Sequence, residues 1–233
     1  MRTLRADDRL LVFSPHFDDA VFSCAELIAR HAGATVLTVF AAPPDADGLT
    51  EWDAACGFRG ARQALEMRRK EDDAALSLLS AQAERLEFRD SQYRATPAPQ
   101  ALSEGLDRVL RRSPADVLLL PAGLFHSDHV LLHRALIALR PGHARKRWLL
   151  YEDALYRRLP GLLQRRLAEL ADAGLQATPL YFPSDHALAA LKQRAVACYA
   201  SQLRGLTAAA DGYADAFLPE RYWMLEDAGE APR

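Results

Sequence analysis

An α/β fold with a mostly parallel, doubly wound sheet is what the sequence predicts, on three observations. Short apolar runs of strand length recur along the chain and read as buried strands. Segments of helical period separate most of them, so strand and helix alternate as parallel crossovers require. With 233 residues, half of them apolar, the chain can bury one full core.

The apolar runs are, in order, "RLLVFSP" (9–15), "ATVLTVFAA" (34–42), "ERLEFRD" (84–90), "ADVLLLPAG" (115–123) and "RWLLYED" (147–153). Helical patterns occupy 20–31, 62–80, 99–112 and 127–139, which puts helices on both faces of a Rossmann-like sheet. Past residue 154 the order changes: a basic amphipathic helix "YRRLPGLLQRRLAELADAGL", a strand "TPLYFP" and a helix over 184–203 read as C-terminal additions to the same domain. No Gly/Ser linker or repeat divides the chain, so residues 1–228 are expected to form one domain and 229–233 a disordered tail. The longest irregular stretch, 41–60, has the length of either a binding loop or a variable surface loop.

A formal charge of −2, with acids and bases nearly balanced, offers no electrostatic reason for a nucleic-acid or acidic-membrane partner. No run reaches the roughly 18 apolar residues of a membrane span, and the N-terminus lacks a signal-peptide core. Three scattered cysteines without a CxxC pair argue for buried thiols in a reducing cytoplasm and against a disulfide framework. A small-molecule partner is the reading these features leave.

In an open parallel sheet, ligands bind at the carboxyl ends of the strands. There the chain places Pro15-His16-Phe17-Asp18-Asp19, Arg89-Asp90, His126-Ser127-Asp128-His129 and Glu152-Asp153. Imidazole and carboxylate are the donors of a catalytic divalent-metal site, which keeps one position open. His16, Asp19 and His129 can supply three such ligands, leaving Asp18 beside them as a general base. The plainer alternative is that the Asp pair only caps a helix starting near residue 20 and that His-x-x-His is surface or core. His126, His129 and His133 also share a helical spacing, but Ser127 or Asp128 is the better N-cap and would leave His126 outside the helix.

These segments resemble the zinc-dependent N-deacetylases of the LmbE-like, or PIG-L, family. "SPHFDDAVFSCAELIARH" followed by "HSDH" is similar to its H-P-D-D-E and H-P-D-H motifs, and "RRKEDDAALSLLS", "LEFRDS" and "KQRAVACYASQ" to its later helix and strand patterns. The resemblance implies that His16, Asp19 and His129 bind zinc, with iron(II) also suited to the set, and that Asp18 is the base. It implies that His126 stabilises or protonates the tetrahedral intermediate, that Asp128 orients His126, and that Arg68 and Asp90 contact an amino-sugar substrate. Phe17 and Ala20 depart from the usual Pro and Glu, and Ala25-Glu26 from Gly-Gly; none is a ligand, so the departures bear on the acceptor pocket. The activity implied is removal of an N-acetyl or N-acyl group from an amino sugar or its conjugate. Two alternatives are a metal-dependent hydratase of a small unsaturated dicarboxylic acid and a non-catalytic sugar- or nucleotide-binding domain; no glycine-rich phosphate loop follows any strand.

Overall fold

The computed structural model describes residues 4–94, 96–207 and 213–229. Its elements are β1 (Leu10–Ser14), α1 (Asp19–Arg30), β2 (Thr35–Thr38), α2 (Glu51–Ala55), α3 (Ala61–Leu78), β3 (Gln82–Arg85), α4 (Pro99–Arg112), β4 (Val117–Pro121), α5 (Ser127–Leu139), β5 (Arg147–Tyr151), α6 (Leu162–Asp172), β6 (Leu175–Leu180), α7 (His186–Ala197), α8 (Ala200–Thr207) and β7 (Tyr222–Asp227). The described strands form one sheet in the order β3-β2-β1-β4-β5-β7-β6. All pairings from β3 to β5 are parallel, and β7 alone runs against its neighbours β5 and β6. The fold is a single α/β domain with a mostly parallel sheet, and the C-terminal additions extend that sheet.

Alternate residues of the buried strands feed two cores. Leu10 and Val12 of β1, with Leu119 and Leu149, pack against α1, α3 and α7 through residues such as Leu27, Leu76 and Val196. Leu11 and Phe13, with Leu118, Leu120 and Leu150, pack on the other face against Leu106 of α4, Leu136 of α5 and Leu170 of α6. Strand side chains point alternately to opposite faces, so an all-apolar run is what a sheet covered on both sides requires.

Four boundaries differ from expectation, the first being the strand expected at "TPLYFP" (178–183), which runs over Leu175–Leu180. The third strand is "QAER" at the sheet edge, its residues mostly exposed, while Leu86 and Phe88 just beyond it reach the second core. Pro160 and Gly161 precede α6, with Gly161 at φ +77°, so this helix begins later than its amphipathic pattern. The helix expected over 184–203 is broken at Cys198 and Tyr199 into α7 and α8. Cys24 and Cys56 are buried free thiols, whereas Cys198 is half-exposed, contrary to the expectation of burial. No described helix is long and apolar enough to cross a membrane. The tail expected to be disordered lies, from residue 230 on, outside the described residues.

Candidate metal centre

The β1–α1 turn is held by Ser14 and by Asp19. Ser14 Oγ donates to the carbonyl of His16 and accepts the Ala20 N–H at 3.0 Å. Asp18 stands at the N-cap of α1 but its side chain caps nothing, which leaves that carboxylate free for other work. Asp19 Oδ2 accepts the His16 backbone N–H at 2.8 Å and lies 3.2 Å from His16 Nδ1. The same oxygen lies 3.1 Å from His129 Nε2.

The β4–α5 turn brings its residues to the same place. His126 is itself the N-cap of α5, its Nδ1 accepting the Asp128 N–H at 3.3 Å, so the expectation that Ser127 or Asp128 would cap is corrected. Because Nδ1 accepts, the neutral ring carries its proton on Nε2. Asp128 does not orient His126 through its carboxylate, as the resemblance implied. Asp128 Oδ2 instead accepts the Ser91 N–H at 3.0 Å and lies 3.0 Å from His16 Nε2, so only its backbone reaches His126. His133 faces away, bonded to the carbonyl of Pro121, and takes no part.

Asp153, at the end of β5, has a larger role than its place in "YED" suggested. It is buried, its Oδ1 lies 2.6 Å from His129 Nδ1, and its Oδ2 accepts the Leu124 N–H at 3.0 Å. That contact fixes the His129 ring with Nε2 facing Asp19. His129 Nε2 is buried yet has no hydrogen-bond partner of acceptable geometry, although the Asp19 carboxylate is close. A buried polar atom of this kind is costly unless something else satisfies it. Ligand atoms of His16, His126 and His129 all lie within 4.8 Å of one another, and so do those of His16, Asp90 and Asp128. An orphaned imidazole nitrogen facing a carboxylate, with a second imidazole on that same oxygen, fits a divalent cation held by nitrogen and oxygen donors.

The electrostatics follow from crowding charges away from water. Burial, and then the negative charge of Asp19, raise Asp18 to about 7. Burial would raise Asp19 too, but His129 and His16 outweigh it and hold this carboxyl well below the usual range. Burial opposes charge on His129, yet Asp19 and Asp153 lift it to about 9, and Asp90, Asp128 and Asp19 likewise raise His16. Burial lowers His126, and the positive charges of His16 and His129 add to the effect, so His126 is neutral at pH 7. The anionic field that keeps protons on His16 and His129 would also attract a cation, which competes with those protons.

A cleft of about 330 Å³ opens on this cluster. His16, Asp18, Asp19, Asp90, Arg68 and His126 supply its polar walls, and Phe17, Phe40, Trp52, Leu65, Tyr93 and Tyr156 its apolar ones. Arg68 is buried, with Nη2 2.7 Å from Asp53 Oδ1 and Nε unpartnered. Asp90 accepts both N–H groups offered by Gln92 and sits 3.8 Å from His16 Nε2. The 41–60 loop contributes Ala42 and Trp52 to the wall of the cleft, and its Asp53 pairs with Arg68. Tyr156 was not anticipated: its ring faces that of His126 at 6.5 Å and meets His129 edge-on at 5.3 Å.

An open α/β sheet with a histidine- and aspartate-walled cleft at the carboxyl ends of its strands defines the structural class. A family model described as GlcNAc-PI de-N-acetylase matches residues 11–139, more than half of the chain, and the protein belongs to this PIG-L family. It is 35% identical over 179 residues to 2'-N-acetylparomamine deacetylase of Streptomyces fradiae, a match covering 66% of this chain and 61% of that protein. The zinc-inhibited form of teicoplanin deacetylase Orf2 superposes with a TM-score of 0.79 at 20% identity, over 96% of this chain and all of the other. GalB, the 4-carboxy-2-hydroxymuconate hydratase of Pseudomonas putida KT2440, superposes less closely, with a TM-score of 0.57 at 17% identity over 97% of each chain. At such identities the two superpositions establish the fold.

Proposed function

We propose that this protein is a metal-dependent hydrolase that removes an N-acetyl or N-acyl group from an amino sugar or amino-sugar conjugate. The observation that carries the reading is the buried, unpartnered His129 Nε2 facing the Asp19 oxygen that His16 also touches, with the uncommitted Asp18 carboxylate alongside. His16, Asp19 and His129 would hold the ion, zinc or iron(II). When bound, such a cation supplies Lewis acidity and makes water a nucleophile near neutral pH.

The chain's own groups do the rest. Asp18 accepts the proton of the attacking water at its carboxylate and passes it to the departing amine nitrogen as the C–N bond breaks. His126 offers its Nε2–H to the carbonyl oxygen as negative charge grows there. Asp128 holds His16 in place, and Asp153 holds His129. Arg68 and Asp90 on the cleft wall are assigned to the polar groups of the sugar, and the aromatic walls to its apolar faces. The named activity of the S. fradiae relative belongs to the same reaction class.

The charge of the cleft argues against the hydratase alternative. A dicarboxylic substrate calls for free cations, but among the described lining residues Arg68 is the one Lys or Arg, and Asp53 already neutralises it. With Asp19 committed to the ion, Asp18 and Asp90 are the carboxylates left facing a dianion. The test is to incubate the zinc-loaded protein with N-acetylglucosamine, N-acetylated aminoglycosides and an unsaturated dicarboxylic acid. Equal release of acetate and free amine, abolished by a chelator, supports the proposal; hydration of the dicarboxylic acid with no acetate released overturns it.

A further inference from the structure

Phe125, the residue before His126, is an anomaly that the catalytic reading leaves unused. Its backbone is left-handed, at φ +60°, and the chain closes tightly around it, with the His126 N–H donating to Leu124 O at 2.7 Å. Glycine adopts such geometry freely, whereas a bulky residue there is a genuine outlier. Outliers of this kind persist where the surroundings over-determine them, and they gather at ligand sites. Here the surroundings are the metal centre, since Leu124 N–H is bonded to Asp153 Oδ2 and His126 caps α5. Burial does not compensate, because Phe125 is 67% exposed.

The one aromatic contact of Phe125 among the described residues is Tyr156, at 5.3 Å between ring centres with the planes tilted by 39°. Tyr156 also lines the cleft and faces His126, so the rings run without a break from the reacting centre to the outside. A second small cleft, of about 140 Å³, lies beyond Phe125 with Arg134 and Arg165 on its walls. The main cleft, at about 330 Å³, is at the small end of the range for ligand sites, so further rings of a conjugate would fall outside it.

We propose that Phe125 and Tyr156 form a shelf that selects substrates carrying a second ring next to the acylated amino sugar, that ring packing flat on Phe125. This rests on the amino-sugar reading above. The shared chemistry is a ring with an apolar face; it can be another sugar or an aryl group.

The test measures affinity and turnover separately. Zinc-loaded protein carrying Asp18→Asn, so that the probes stay intact, is titrated calorimetrically with N-acetylglucosamine, N,N′-diacetylchitobiose and p-nitrophenyl N-acetyl-β-glucosaminide. At least one two-ring probe is expected to bind about two- to tenfold more tightly than the monosaccharide, the usual weight of one ring-on-ring contact. Adding Phe125→Gly, which keeps the left-handed turn and removes the ring, should erase that advantage and leave the monosaccharide affinity unchanged. Phe125→Leu, which keeps bulk without a flat face, should erase most of it and serves if the glycine variant fails to fold. Which probe gains distinguishes a sugar from an aryl neighbour. Equal affinity for all three probes, or an advantage that survives both substitutions, overturns the shelf. Acetate release by the unsubstituted enzyme is scored in parallel: a ring advantage without acetate release overturns the hydrolase reading and leaves the shelf standing.

Discussion

The two ends of the sheet handle charge in opposite ways. At the amino ends of the strands, ion pairs lie in water: Arg9 meets Asp116 at 3.0 Å with side chains 62% and 42% exposed, and Arg111 meets Asp107 at 2.7 Å. At the carboxyl ends, Asp19, Asp128, His129 and Asp153 are buried and Asp18 is half-buried, with acids crowding acids. The same residue type is pushed in opposite directions. A hydrogen bond from Arg9 lowers Asp116 to about 2, while burial and Asp19 raise Asp18 to about 7. A groove of about 1370 Å³ is at the paired end, and the 330 Å³ cleft is at the crowded one. Size therefore does not locate the chemistry; buried charge without a matched partner does.

That contrast can be broken by substitution, most severely at Asp18. Asp18→Ala should keep bound metal but lower kcat by roughly two to four decades, the usual weight of a general base; metal analysis and initial rates on the same preparation check it. Next comes Asp153→Asn, which leaves the shape of the site but loosens the His129 ring. It should weaken zinc about 10- to 100-fold in chelator competition, with far-UV circular dichroism unchanged.

A smaller effect concerns stability and pH. For metal-free protein the sign is unusual, because a carboxyl raised to about 7 from an ordinary 3.8 binds more protons folded than unfolded. Its ionisation therefore removes stability as pH rises between those values. Asp18→Asn should raise the melting temperature by about a few degrees at pH 8 and hardly at all near pH 4. A bound cation favours the carboxylate, so the acid limb of kcat in the loaded enzyme should fall below pH 7. The smallest effect belongs to the other end of the sheet: Asp116→Asn breaks an exposed pair, and melting temperature, metal affinity and rate should all be nearly unchanged.

Much of this was readable in the chain. β1, β2, β4 and β5 are buried on both faces, so their apolar runs are unmistakable, and α4 and α5 begin and end where their periodicity does. β3 and β7 were harder: "QAER" is an exposed edge with almost no apolar signal, and "YWMLED" reads as a strand only beside its antiparallel neighbours. The spacing of His16, Asp19 and His129 pointed to one cluster because two predicted strand ends carried the pieces. Asp153 also stood at a predicted strand end, but its pairing with His129 depends on how β4 and β5 align. "RRKEDD" looks like a solvated face, yet Arg68, Glu71 and Asp72 are buried against Asp53, Ser201 and Arg85, partners distant in sequence. The backbone of Phe125 is likewise set by what surrounds it.

The most direct test is an anomalous difference map at the zinc absorption edge, from crystals of the unsubstituted protein loaded with zinc. A single strong peak about 2.0–2.2 Å from nitrogens of His16 and His129 and an oxygen of Asp19 is predicted. A peak ligated instead by His16, Asp90 and Asp128, or no peak at this turn in crystals that hold zinc elsewhere, would contradict the account.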